Sequence, residues 1–528
     1  MAQILAGGSE PNAGGNTEVI TQVQTATWTQ LQGKPNIEVS SKGIVNCLSS
    51  VINDGADFGP DTTKGATAPG QYGAPYTETS GIQDAQNYLA KKGYENLPMG
   101  GTIQLLDGVF EISTTINLTT PSLIIAGLGL ATDRSTTIRL ADGADVNIIN
   151  VETSAFKCVI RNLAIDGNNA NNTGSLYGIV ANGNFTGQDL HINQIYLANV
   201  SGTAIYSNCG TYIEDVIVEG GTSWGLYLDG NAGWLVNGFL VYGGAGGVYI
   251  GSNGMTLSNI TVYTATTPTL PQIEVAGNNN AITNVNVQNI FYQVLISGNS
   301  NNITGLQINA AITGSTPPTP IQITGLRNNI NSVYLNIGEI DVTTYPGAII
   351  AISSSGSVSK ISSLFSNISL PPTFLAIQSA YNTISDVYAN VSSASTAIAD
   401  SGSNNKISNI YLYGPTTSTP LILPSTDIVR DIFMIDGSTN TPVQLFTPTT
   451  PSVPSSATAQ ENTNPYAVDV YVYGGDVTKI QITKGGTAYT VFSVSTAIAM
   501  SGQAYKLNPG DSITVTYSTA PTWEWLSD

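Results

Sequence analysis

A six-residue phrase recurs along the middle of the chain: apolar, any, small-polar, apolar, any, apolar. It is plainest as Ile282-Thr283-Asn284-Val285-Asn286-Val287, Leu257-Ser258-Asn259-Ile260-Thr261-Val262 and Ile407-Ser408-Asn409-Ile410-Tyr411-Leu412. With Asp, Gln, Gly or Ser admitted at the third place, twelve copies begin at Ile160, Ile192, Ile213, Val236, Leu257, Ile282, Ile303, Ile330, Ile361, Ile384, Ile407 and Val429. The steps between them run from 21 to 32 residues and average about 24, a period that builds a solenoid rather than a compact core.

A second column of short β-type phrases precedes most of the hexamers, at Ile179, Ile205, Leu226, Val248, Ile273, Val294, Ile321, Leu375, Ile398 and Leu421. No stretch between Asn150 and Asp431 sustains a helical apolar period. Two strands and a bend per coil describe an all-β chain wound as a right-handed parallel β-helix. Places 1, 4 and 6 of each hexamer should point inward and stack on their counterparts about 4.8 Å along the axis. The third place falls at the bend, where side-chain amides can bond their own copies above and below. Asn162, Asn259, Asn284 and Asn409 therefore read as a structural polar ladder rather than as chemistry. With less regular coils near Leu123 and Ile138, about fourteen coils would make a rod on the order of 65 Å long.

The bulk numbers narrow the partners. Charged residues make up only 10% of the 528, and a net charge of −19 with 16 basic residues argues against a nucleic-acid partner, since phosphate binding relies on clustered Lys and Arg and none cluster here. No run reaches 18 consecutive apolar residues, and the start lacks the basic and apolar regions of a secretory signal, so membrane insertion is not expected. Cys47, Cys158 and Cys209 are too few and scattered for a disulfide framework and lack zinc spacing. The sole histidine, His191, sits at a strand edge. No metal or cofactor is implied. A polar, weakly charged surface whose carboxyls are largely protonated near pH 2 to 3 suits an acidic hot-spring setting, as for a thermoacidophile.

Residues 1–43 are Gly- and Gln-rich and read as an arm; 44–122 form a lead-in with a capping helix at 80–92; 123–445 carry the β-helix. Residues 446–463, with Thr447-Pro448-Thr449-Thr450-Pro451, are a stiff linker, and 464–528 alternate as a small β-sandwich ending in Trp523-Glu524-Trp525. The helix reading rests on Ser80 as N-cap with Gln83 three places on, and on Ile82, Ala85 and Leu89 along one face until Gly93. Such a helix would cover the unpaired strand edges at the open end of the rod.

The lead-in has a familiar order: Val51-Ile52-Asn53-Asp54-Gly55-Ala56-Asp57-Phe58-Gly59, the helix, Gly100-Gly101-Thr102-Ile103-Gln104-Leu105, Gly108-Val109-Phe110-Glu111-Ile112, and Leu123 to Gly129. This resembles the N-terminal signature of the pectate-lyase-like superfamily, in the form found in viral and phage tailspike and fibre proteins. The resemblance covers Val45 to about Ile138 in motif order and the coils to about Met434 in architecture. It implies the fold; members include lyases, polysaccharide hydrolases and plain receptor binders.

Aromatic residues mark the outward surface. The fifth place of the hexamer holds Tyr334, Phe365, Tyr388, Tyr411 and Phe433 in five successive coils, and the earlier column holds Tyr206, Tyr227 and Tyr249. Such rows can stack on sugar rings, bury against a neighbouring subunit, or stack on themselves. Hydrolysis of a polysaccharide would need two carboxylates, about 5 Å apart for retention or about 6.5 to 9.5 Å for inversion. Asp166 and Glu219 both directly follow a hexamer and lie two coils apart, near 10 Å at the backbone. Glu214 and Asp229 are close by, with Trp224 and Tyr227 as a platform. The polygalacturonase pattern of paired aspartates and Gly-His-Gly is missing, since His191 lies between Leu190 and Ile192. Pectate lyases pair carboxylates for calcium with a basic residue; Arg161 and Arg430, at outward hexamer places, have no acid cluster beside them.

The expectation is a virion spike or fibre, trimeric, on the virion surface, that binds a host surface glycan or glycoprotein during attachment. By analogy with viral fibres the N-terminal arm meets other virion proteins and the sandwich faces outward. The alternative is a glycoside hydrolase or polysaccharide lyase on the same rod.

Overall fold

The computed structural model describes residues 36–39 and most of 57–527, omitting chiefly 92–99, 131–135, 184–188, 231–234, 264–269, 289–293, 313–318, 341–347, 354–358, 369–372, 391–395, 415–420, 436–441 and 445–449. Cys47, Val51 to Ala56 and all of the arm except Asn36–Val39 lie outside the described residues.

The chain is a parallel β-helix. Ile160, Ile192, Ile213 and Val236 are direct register partners in adjacent strands, and the series continues through all twelve hexamers to Val429. The inward places are closed to solvent: Ile192, Ile195 and Leu197, for example, are all fully buried. The short strands form a separate 13-stranded parallel ladder that follows chain order from Ile116–Leu118 to Leu421–Ile422. Every phrase of the second column is in it. The ladder also contains Ala348–Ile352, which the spacing had passed over.

The phrases near Leu123 and Ile138 are halves of one coil, not two coils. Ile124–Ala126 pairs with the first half of Val159–Asp166, and Thr136–Leu140 pairs with its second half.

The third place of the hexamer has a physical cause that the pattern alone did not show. All twelve third places adopt left-handed backbone, with φ between 51° at Gln194 and Asp215 and 73° at Gly305. Gly, Asn and Asp tolerate that conformation best, which explains why they dominate the position. Some third-place amides do bond along the axis, Asn284 to Asn259 at 3.2 Å and Asn409 to Asp386 at 2.6 Å, but Asn284 is exposed.

The buried ladder lies two residues before the hexamer. Oδ1 of Asn280 accepts from Met255 N at 2.7 Å, that of Asn301 from Asn280 N at 2.9 Å, and that of Asn328 from Asn301 N at 2.9 Å. Meanwhile their Nδ2 groups donate to the carbonyls of Ser252, Gly277 and Gly298. The series resumes with Ser359 N on Asn382, Asn382 N on Asn405 and Asn405 N on Asp427. Gly277, Gly298 and Gly325 let these turns nest: a Cβ at each would sit 1.8 Å from a carbonyl oxygen of the coil before.

Strand edges at both ends of the spiral find partners among the described residues. The helix Ile82–Lys91 buries Ile82, Ala85 and Leu89 as expected, but its cap is Thr79, whose Oγ1 accepts from Gln83 N at 3.2 Å. Ser80 is instead left-handed, at φ 52°, and its hydroxyl donates to Glu111 O. Gln83 Oε1 accepts from Asn117 N at 2.8 Å and Gln86 Nε2 donates to Asn117 O at 2.7 Å, so helix side chains satisfy the edge of the first short strand. At the other end, Ile428–Ile435 turns back into an antiparallel pairing with Pro442–Gln444.

The C-terminal module, expected as a sandwich of short strands, is one antiparallel sheet of five strands, two of them long: Val468–Lys484 and Thr487–Leu507. Val468–Lys484 bears Thr522–Ser527 along its first half and Ser512–Thr519 along its second, either side of Gly474 and Gly475, which have positive φ. The preceding segment is bonded to this sheet, with Trp523 Nε1 donating to Pro451 O and Tyr517 OH to Pro454 O, both at 2.6 Å.

Candidate functional site

Because the inward places are filled almost entirely by apolar side chains, any chemistry must come from the outward columns. Three of these carry distinctive groups.

The first begins in the early coils. Asp166, Ala198 and Glu219 are register partners, so the two carboxylates flank a small residue two coils apart, as the sequence indicated. Both are engaged. Asp166 Oδ1 accepts from Asn168 N at 2.9 Å and Asn199 Nδ2 at 3.1 Å, and its Oδ2 lies 3.5 Å from Arg139 Nε. Glu219 accepts from the hydroxyl of Tyr196. Burial, reinforced by that bond and the nearby negative charge, pushes the Tyr196 hydroxyl up to about 12, so it remains a donor. Glu214 faces Asn193, whose Nδ2 donates to Oε2 at 3.2 Å. The column then continues from Glu219 into Tyr242 and Tyr263, whose rings stack 4.9 Å apart at 6°.

The second lies on the short-strand ladder. Tyr206 and Tyr227 stack at 5.4 Å, and Tyr227 and Tyr249 at 4.2 Å and 14°. Trp224, itself buried, packs against Tyr249 at 5.5 Å and edge-on to Tyr227 at 6.3 Å. Tyr177 extends the row by one coil, its ring 5.5 Å from Tyr206. The partner of Tyr249 in the next coil is Glu274, whose carboxyl is pushed up by burial. Burial, with the charge and hydrogen bond of Tyr249 and the nearby Asp229 and Glu274, likewise pushes the Tyr227 hydroxyl up to about 12. These phenols stay neutral across the ordinary pH range.

The third is the fifth-place row. Tyr334 and Phe365 stack at 5.3 Å and 2°, Tyr388 and Tyr411 at 4.9 Å and 3°, and Tyr411 and Phe433 at 5.1 Å and 17°. Ring faces are thus spent on neighbours along the axis, while ring edges face out. His191 is also in a stack, 4.4 Å from Tyr212.

Reasoning from the sequence found the columns but missed Tyr196, Tyr242, Tyr263 and Glu274. Tyr196 stands at the fifth place of the second hexamer, so reading that place from the first copy onward would have found it. Among the described residues no group of three or more His, Cys, Asp or Glu is placed to hold a metal ion, and no helix is long and apolar enough to cross a membrane.

Neither a protein-family model nor a curated protein matches the sequence. Solved structures with a similar course do exist. The A-module of the Azotobacter vinelandii mannuronan C-5 epimerase AlgE6 matches 67% of this chain and 94% of its own, at 12% identity and a TM-score of 0.41. A tailspike protein mutant of E. coli bacteriophage HK620, in complex with a pentasaccharide, matches 84% of this chain and 88% of its own, at 12% identity and 0.42. Tailspike protein 3 of bacteriophage CBA120 matches 69% and 61%, at 11% identity and 0.39. The likeness is one of fold.

Proposed function

We propose that this protein is a virion spike or fibre that attaches to a host surface glycan or glycoprotein. The observation that carries the reading is the outward face of the long-strand sheet. Over many coils it presents amides and hydroxyls, which bond sugar hydroxyls, beside aromatic rings whose edges and unstacked faces can meet sugar C–H groups, with few charges. In this reading the N-terminal arm meets the particle and the C-terminal sheet faces outward. Affinity electrophoresis through gels containing host envelope polysaccharide should retard the intact chain, and migration unchanged by any host glycan or glycoprotein would defeat the proposal.

A second reading, cleavage of the glycan, rests on Asp166 and Glu219 facing each other across Ala198. Since hydrogen bonds and an ion pair already hold both carboxylates, binding without cleavage is the favoured outcome. Incubation with host polysaccharide is expected to release no reducing ends or unsaturated uronates. Release that disappears in Asp166→Asn or Glu219→Gln would reverse the order of the two readings.

The trimer belongs to the same proposal. Among the described strands Thr487–Leu507 pairs only with Val468–Lys484, which leaves its other edge open. Tyr489, Val491 and Ile498 are exposed along it. An open, apolar edge invites strand pairing with another chain. Light scattering should give three chains for the intact protein and fewer for a Val491→Lys, Ile498→Lys double variant. A monomeric intact chain would end the trimer claim.

A further inference from the structure

The fifth-place row of rings has a beginning, and the surface is hollow there. After Tyr196 far up the column, Tyr334 is the first ring of the consecutive run; the three preceding coils hold Thr261, Asn286 and Gln307 at the same place, each in register with the next. Phe365 takes one face of the Tyr334 ring, lying parallel to it at 5.3 Å. The other face is turned to the Gln307 coil. Tyr411 has a ring on each face, whereas Tyr334 has a ring on one face only, and its other face can still receive a flat partner.

A cleft of about 330 Å³ opens at this point, lined by Asn284, Asn286, Gly305, Gln307, Ser332 and Tyr334. Gly305 makes the room. It occupies the left-handed third place that holds Asn in four other coils, and a Cβ there would already stand 3.1 Å from Asn284 Oδ1. Asn286 contributes an acceptor that the protein itself does not satisfy: its Oδ1 is shut off from water and has no hydrogen-bond partner. No Lys, Arg, Asp or Glu lines the cleft.

We infer that this cleft seats one uncharged pyranose unit of a glycan, its hydroxyls bonded by Asn284, Asn286 and Gln307 and one C–H face laid on the Tyr334 ring. Amides both donate and accept, as vicinal hydroxyls require, and an aromatic face suits the apolar side of a sugar. A uronate or other acidic sugar would meet no cation here, on a chain whose net charge is −19. The inference rests on the glycan-binding reading and gives it an address and a ligand class.

Affinity electrophoresis of the intact protein on dextran, mannan and galactan, with polygalacturonate as the anionic probe, tests it. At least one neutral polymer should retard the protein, and polygalacturonate should not. Gly305→Asn keeps a residue suited to left-handed backbone but fills the cleft, and Tyr334→Ala removes the platform. Each should weaken retention about tenfold, while Asp431→Asn, at a third place far along the rod, should leave it unchanged. Neutral-polymer binding that survives both cleft variants would overturn the site but leave glycan attachment standing. Binding of polygalacturonate alone would overturn the ligand class. If the neutral polymers fail while host polysaccharide still binds, the cleft assignment falls; if nothing binds, attachment falls with it.

Discussion

Replacing Asn301 with Ala should cost the β-helix about 2 to 6 kcal/mol, whereas the same change at Asn284 should cost roughly 1 to 2 kcal/mol. The difference follows from what each amide holds. Asn301 Oδ1 accepts from Asn280 N and its Nδ2 donates to Gly277 O at 3.0 Å, and both backbone groups are buried between coils. Removing the amide leaves two polar groups without partner or water, each costing about 1 to 3 kcal/mol. Asn284 is exposed, and among the described residues its amide donates to another surface asparagine, Asn259. What it supplies is tolerance of φ 54°, so Asn284→Gly should be nearly neutral where Asn284→Ala is not. Urea unfolding followed by far-ultraviolet circular dichroism reads the order directly. Equal losses at the two positions would show that the buried ladder is not what ties successive coils together.

The ladder ends in a carboxyl pair, and this sets the second expectation. Asp427 occupies the rung after Asn405 and accepts from its N–H at 3.0 Å, while Asn405 Nδ2 donates to Asp400 Oδ2 at 2.9 Å. Asp400 and Asp427 are both buried and share Asn405 as a hydrogen-bond partner, a setting that favours one proton held between the two carboxyls. Burial, with the bond to Asp400, pushes Asp427 up from 3.8 to about 7, and burial raises Asp400 too. A carboxyl raised in the folded state binds more protons there than when unfolded. Its contribution is therefore complete below about pH 4 and is lost as the pH climbs through about 7. Asp427→Asn keeps the acceptor for Asn405 and turns a fixed N–H donor toward Asp400. The variant should gain up to about 4 kcal/mol over the parent at pH 8 and show little difference at pH 4. Melting curves at pH 4, 6 and 8 test this, and parallel pH slopes for parent and variant would contradict it.

The two predictions also mark how far the sequence could be read. Places 1, 4 and 6 were legible because burial repeats once per coil and selects Ile, Leu or Val almost every time, with Phe239, Ser366, Ala389 and Met434 as the departures. The third place was legible as a residue class but not as a conformation, since Asn suits both an amide ladder and left-handed backbone. The buried rungs stand openly in Gly277-Asn278-Asn279-Asn280 and Gly298-Asn299-Ser300-Asn301, yet a polar, Gly-rich phrase reads as an exposed turn until a neighbouring coil is laid on it. For the outward surface, spacing gave the rows of Tyr and Phe but not the direction of their faces. The cleft was out of reach for the same reason. It is formed by what is missing at Gly305, and a missing side chain leaves no mark in a hydrophobic pattern.

The closures at the two ends bear on how such a rod changes size. Gln83 and Gln86 on the first short strand and Pro442–Gln444 folded back on the last long strand form a stopper at each end of the spiral. Each turn in between touches only the turns above and below, so duplicating or deleting a single unit leaves both stoppers in place. Reach is then an adjustable dimension, altered in increments of about 4.8 Å without redesigning anything at either end.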